Sequence, residues 1–403
     1  MTPNRFNNPL ASGPEFPLSL WQKRQAALLY YWMSLDYLKG LKTMIDKLID
    51  GADVLLDLAQ SQGRDALLTD KRWGVRNTSA NWSTYGYPAL ADFRKSTIKL
   101  IAWRTNETYC GTGANQCSRM LSEISSLWMT PDEENAFEEQ CEAVFVYAGR
   151  IDEAAGVGGG QRFLKDASMV AWWQDYAGHF PRLPKFRVRT DVAGETDKRP
   201  PRTGVYVPQD DPYGTLQFAW TGNSDGILGK VQTFNDAGLA AVKAIGRKAL
   251  WLDEPKMMAY VIDALKRKHL KPYGDWMTTQ NYSPETVARN RIDWEKVNDL
   301  IAAQMVLSEQ VYTERPCKWY FVEMIDGEFD DTSEDETNAA EPVRRLNVPA
   351  GQPCPETGWW HTPAKAGSRR YFKQGTVMPE MKGSDYGATY WQWSHDQEMP
   401  NLR

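Results

Sequence analysis

The stretch LSLWQKRQAALLYYWMSLDYL, residues 18–38, continued by LKTMIDKLIDGADVLLDL, residues 41–58, decides how the chain folds. In the first part Leu20, Trp21, Ala27, Leu28, Tyr31, Trp32, Leu35 and Leu38 recur largely at spacings of three and four. That is the period of one face of an α-helix. Met44, Ile45, Leu48, Ile49, Val54 and Leu55 carry the same period onward. Gly40 is expected to break or kink the run between them, because glycine is a poor helix former.

Upstream, residues 1–17 hold Pro3, Pro9, Pro14 and Pro17 and no apolar core segment, so they are read as a flexible arm and not as a signal peptide. Downstream, residues 64–90 show little periodicity and are expected to be loop. Ala91–Asn106 is helical again. Thr130-Pro131-Asp132-Glu133 is a helix start, with a capping threonine, proline in the first turn and acids behind it. That helix is expected to run to about Glu153 and to end in the glycines 156–160. Met169–His179 predicts a short aromatic helix. Pro181–Gly204 is rich in Pro, Arg and Lys. Thr203–Val207 and Leu216–Thr221 read as a β-hairpin. Helical pattern returns at Asn235–Leu250, Glu254–Lys268 and Asp293–Glu309, with Asp236 and Asp293 as expected caps. Cys317–Ile325 and Val343–Val348 are strand candidates. The tail from Gly351 to Trp393, full of Gly, Pro and aromatics, predicts short strands and turns.

These readings predict an α+β chain in three parts. Residues 1–17 form the arm. Residues 18–310 form a mainly α-helical domain with a β-hairpin near 203–221. Residues 311–403 form a small Trp/Gly-rich β module. With 403 residues, 42% hydrophobic and 25% charged, the composition is that of ordinary globular domains. The net charge of −5 and the lack of a basic stripe argue against a nucleic-acid partner. No stretch approaches 18 uncharged apolar residues, so a membrane partner is not expected either, and the cytoplasm is the expected compartment.

Catalytic signals are weak. Gly156-Val157-Gly158-Gly159-Gly160 lacks the lysine and spacing of a phosphate loop and follows a helix. Ser384 does not sit in a nucleophile elbow. Four histidines and five cysteines are scattered, with no close Cys-x-x-Cys spacing, so no metal, cofactor or catalytic residue is assigned. The cysteines are expected as free thiols. A Cys110–Cys117 disulfide stays open, and so does reactivity at Cys354.

Two features point to binding. Glu323–Glu341 holds nine acids and no Lys or Arg: Glu323, Asp326, Glu328, Asp330, Asp331, Glu334, Asp335, Glu336 and Glu341. It reads either as a solvated loop or as a surface that meets a basic cleft. The aromatic clusters Trp172-Trp173, Trp359-Trp360 and Trp391-Gln392-Trp393 read either as core or as contact patch. In an extended chain adjacent Trp359 and Trp360 face opposite ways, so one can point outward, and Trp360 is taken as the contact residue.

The tail residues Pro353-Cys354-Pro355-Glu356-Thr357-Gly358-Trp359-Trp360, Ser368-Arg369-Arg370-Tyr371-Phe372-Lys373-Gln374-Gly375, Met378-Pro379, Tyr386-Gly387 and Trp391-Gln392-Trp393 resemble the C-terminal signature of the immunity protein 71/72 families. The specific likeness covers the tail, and a weaker one most of the chain. These families accompany polymorphic toxins, often effectors of type VI secretion. The resemblance implies a non-catalytic protein that binds a cognate bacterial toxin and occludes its active site; the acidic run, not the resemblance, favours a nuclease as the toxin. Arg369 and Arg370 are expected to meet the acidic run or a carboxylate of the partner. Two other classes stay open: an enzyme that reverses a toxin's modification, and a structural or adaptor protein of a secretion or phage particle.

Overall fold

The computed structural model describes residues 17–156, 165–280, 283, 285, 299–330, 347–355, 357–362, 368–381 and 389–393. The arm expected at 1–17 lies outside them except for Pro17. The chain is α+β as expected, and both four-stranded sheets are antiparallel throughout.

It forms two compact units, Met1–Thr233 with Glu314–Asp331, and Phe234–Thr313 with Thr332–Arg403. The boundary expected at 310/311 therefore does not separate helices from strands. The reason is one strand, β6 (Lys318–Phe329), which returns to the first unit. There it lies between β1 (Pro184–Glu195) and β2 (Gly204–Pro208), with β3 (Gln217–Ala219) beyond, in the order β1-β6-β2-β3. Val322 packs into the helical core, while Trp319 and Phe321 join Tyr206, Leu228 and Val231 in a second cluster. A strand with apolar residues for two cores is buried only in a central position. The hairpin near 203–221 is present, but as half of this sheet. The Arg- and Lys-rich segment before it is the long strand β1.

The N-terminal run breaks about two turns earlier than glycine chemistry suggests. Helix α1 covers Leu20–Trp32 and α2 covers Leu35–Ser61. The break is at Met33-Ser34, where the Ser34 hydroxyl accepts the Tyr37 amide at 3.1 Å and caps α2. Gly40 lies inside α2 without interrupting it. A β-carbon there would sit 2.5 Å from the Tyr147 hydroxyl, so glycine serves a close helix contact. Tyr37 and Tyr147 stack at 3.9 Å, and each hydroxyl donates to the other's backbone carbonyl, at 3.3 and 3.0 Å.

Residues 64–90 are not all loop. They contain α3 (Asp65–Leu68), α4 (Ser79–Tyr85) and the start of α5 (Tyr87–Trp103). Asp65 accepts the Ser79 amide at 2.7 Å and its hydroxyl at 2.8 Å, holding the start of α4 from fourteen residues away. After α6 (Ala114–Ser122), α7 (Pro131–Ala155) begins at the expected Thr130. It ends at Gly156, whose φ of 65° is the left-handed conformation glycine tolerates. Glycines 157–160 lie outside the described residues. The aromatic helix α8 covers Asp166–Tyr176, followed by a single 3-10 turn to His179.

The start of α7 has a pH consequence. Glu133 takes two hydrogen bonds from Arg64, at 2.6 and 3.0 Å, and one from the Thr130 amide at 2.8 Å. The Arg64 guanidinium, first of these causes, holds the carboxyl at about 2. An unfolded glutamate titrates near ~4.3. A depressed native value stabilises the fold fully above that unfolded value, and the benefit is lost as pH falls toward 2. Glu133→Gln is therefore expected to lower the midpoint of thermal unfolding at pH 7 and to flatten its fall on acidification. Scanning calorimetry from pH 7 down to about pH 3 checks this, and a variant curve parallel to the parent's would contradict it.

In the second unit α9 (Asp236–Ile245) is capped by Asn235, whose side chain accepts the Gly238 amide at 3.0 Å, and not by Asp236. Asp236 lies in the first turn, where a helix favours negative charge. Helices α10 (Ala249–Leu252), α11 (Glu254–Lys266), α12 (Tyr273–Thr279) and α13 (Asp299–Gln310) follow. Asp293 lies outside the described residues. The strands of the tail complete this unit.

Candidate interaction surface

The tail folds as a sheet of β7 (Asn347–Pro349), β8 (Gly358–His361), β9 (Arg370–Phe372) and β10 (Tyr390–Trp393), in the order β7-β10-β8-β9. Successive side chains of a strand point to opposite faces. Trp360, Phe372 and Trp391 therefore turn to one side, where they pack with Val348, Cys354, Met378 and Met381. Turn hydrogen bonds close this small core: the Cys354 amide donates to the Thr376 carbonyl at 2.7 Å and the Trp391 indole to the Pro379 carbonyl at 2.8 Å. Cys354 is thus a packed small residue, 1% exposed. All five cysteines are free thiols, Cys110 and Cys117 included.

This geometry corrects the choice between the paired tryptophans. Trp360, taken as the contact residue, is fully buried, because it shares the core face with Phe372 and lies edge-on to Trp393 at 5.1 Å. Trp359 is the half-exposed one. It pairs across the strands with Tyr371, rings 5.6 Å apart and nearly perpendicular, and Tyr371 is 53% exposed. The Arg369 guanidinium lies over the Trp359 ring at 4.5 Å. Arg370 is exposed on the edge strand β9. The tail thus presents a face of Trp359, Tyr371 and Arg369, while Arg370, paired with Trp360, turns to the other side of the sheet. These are the residue types that carry most binding energy at protein interfaces.

The acidic run divides in two. Its first half is not a loop but the second half of β6. Glu323 faces Arg189 at 3.4 Å, Arg187 at 3.9 Å and Arg202 at 4.0 Å. Glu328 pairs with Lys185 at 2.8 Å, and Asp330, just past the strand, with Lys23 at 2.6 Å. The cations come from β1, the turn before β2 and α1, far away in sequence, so the run looked unpaired when read alone. Asp326 is exposed. Asp331, Glu334, Asp335, Glu336 and Glu341 lie outside the described residues.

Other polar groups shifted by the fold serve structure. Burial raises the Asp152 carboxyl above its ordinary value, opposed by the amide and hydroxyl of Thr112, each donating at 2.7 Å. Burial pushes the Cys117 and Cys141 thiols up to about 12. Among the described residues no group of three His, Cys, Asp or Glu side chains is placed to hold a metal ion. None of the described helices is long and apolar enough to cross a membrane. The segment 64–90, read as featureless, exposes Trp73 and Tyr85, which neither periodicity nor motif spacing signals.

In comparisons with known proteins, no family model, no curated protein and no solved structure matches the chain.

Proposed function

We propose that this chain is an immunity protein. It binds one cognate bacterial toxin in the cytoplasm and occludes the toxin's active site, without catalysis and without a cofactor. The observation that carries the reading is the outward face of Trp359, Tyr371 and Arg369, built from the same tail residues that resemble the immunity protein families. A planar guanidinium stacked on a half-buried indole is already ordered, so little conformational freedom is lost on binding. Arg370, exposed on the edge strand but turned to the other side of the sheet, suits a carboxylate only where the partner wraps that edge. Exposed Asp326 on the first unit adds negative charge that speeds encounter with a basic toxin surface.

Titration calorimetry with a purified candidate toxin from a gene neighbouring that of this chain tests the reading. The expected result is a one-to-one complex that Trp359→Ala with Arg369→Ala weakens by about 2 kcal/mol or more, roughly thirtyfold. A complex that ignores both substitutions, or no complex at all, would reject the proposal.

A further inference from the structure

We infer that the loop Asp70–Gly74 and the groove beside it form a second docking surface, one that takes an acidic protein segment carrying a single apolar anchor. The loop is closed on itself. The Asp70 amide donates to the Gly74 carbonyl at 3.0 Å, and the Gly74 amide to the Asp70 carbonyl at 2.8 Å. The Asp70 carboxylate accepts the amides of Arg72 at 2.6 Å and Trp73 at 3.0 Å. Gly74, at φ 60°, makes the return. This self-contained loop holds Trp73 out at 56% exposure, with the Arg72 guanidinium 4.9 Å above the ring. Nothing in the packing of the first unit requires an exposed indole there. A loop tied down by four hydrogen bonds presents it at low entropic cost.

Beside the loop are two adjoining hollows of about 360 Å³ each. Both are lined by Arg76, Glu123, Ile124 and Ser125, the first also by Tyr85 and Met120, the second by Trp73. Tyr85 is 61% exposed, Val75 57% and Leu127 62%. Tyr85, Met120 and Ile124 give the first hollow an apolar side for one large side chain, next to the polar Asn81, Glu123 and Ser125.

Charge selects the occupant. Lys71, Arg72 and Arg76 crowd this loop, and among the described residues none of them is ion-paired, whereas Arg64, Arg189 and Arg315 elsewhere in the unit all are. Asp70 accepts its own loop amides but keeps its charge, and Glu123 lines both hollows, so the three cations outnumber these two carboxylates by one. On a chain of net charge −5 this is a local cationic spot around an aromatic. A nucleic acid would also meet the cations and stack on Trp73. Met120 and Ile124 in the lining offer it nothing, and they suit an apolar side chain of a protein. The inference does not depend on the tail's role, so each can fail alone.

The test uses the full chain and labelled peptides followed by fluorescence anisotropy. The probes are Glu-Asp-Glu-Phe-Leu-Glu-Asp-Glu, the same peptide with Ser-Ser for Phe-Leu, its all-lysine counterpart, and an oligothymidylate. The expected result is that the first probe binds at least about tenfold tighter than the others, and more weakly as salt rises. Trp73→Ala, and separately Arg72→Glu with Arg76→Glu, should each cost about tenfold. All three residues are exposed, so the fold should survive, and circular dichroism verifies it. Should a variant unfold, Lys71→Glu and the salt series on the parent chain decide. Equal binding of all peptides, tighter binding of the oligonucleotide, insensitivity to the substitutions, or self-association of the chain through Trp73 would overturn the inference.

Discussion

Trp360→Ala is expected to unfold the β-sheet of the tail, while Trp359→Ala, one residue earlier, should leave it folded. The two side chains are adjacent in sequence but have opposite environments. Trp360 is fully buried in a core of only seven described side chains, two of them the large aromatics Phe372 and Trp391. Truncating a buried tryptophan costs about 3–5 kcal/mol. A whole domain is stable by only about 5–15 kcal/mol, and a core this small has little to spare. Trp359 faces outward, and its contacts include the Tyr371 edge and the Arg369 guanidinium. Losing them should cost about 1 kcal/mol of stability. Near-ultraviolet circular dichroism and limited proteolysis within residues 347–393 distinguish the two. A Trp360→Ala protein with a protected tail, or a Trp359→Ala protein with an unfolded one, would show that the faces are wrongly assigned.

Trp32→Ala should be among the most damaging single truncations in the first unit, with a loss of about 3–5 kcal/mol. Trp32 ends α1 with no exposed surface and meets Trp172 at 5.6 Å and Tyr176 at 5.3 Å, both edge-on. Arg150 of α7 lies 5.9 Å from its ring and 4.7 Å from that of Trp172. The substitution therefore opens a cavity where α1, α7 and α8 meet and removes one of the rings that cover a cation. Trp32→Phe should cost less than half as much. The Trp32 indole nitrogen is buried with no hydrogen-bond partner, so deleting it with the five-membered ring removes an unsatisfied donor. Urea unfolding of the two variants gives the comparison. Equal losses would mean that ring packing contributes little at this junction.

How much could be read from the chain itself depended on how local each signal was. The start of α7 was legible because Thr130 and Glu133 satisfy each other within one turn. The break between α1 and α2 was misplaced because Gly40 is a helix breaker by propensity. Here its missing side chain makes room for Tyr147, a residue more than a hundred positions on. Strand β1 carried a period-two pattern, with Phe186 and Val188 inward and Lys185, Arg187 and Arg189 outward. The proline- and arginine-rich composition around it hid that pattern. The acidic run looked like a free surface because its cations lie more than a hundred residues away. For the tail, alternation said that Trp359 and Trp360 face opposite ways. Only the pairing of β8 with β9 says which of them faces the core.

Growth rescue tests the central claim most directly. Cells that express a candidate toxin from a gene neighbouring that of this chain should survive when the chain is co-expressed. Survival should be lost with Trp359→Ala plus Arg369→Ala, although that variant accumulates normally. Death of cells that carry the intact chain at levels matching the toxin would contradict the account.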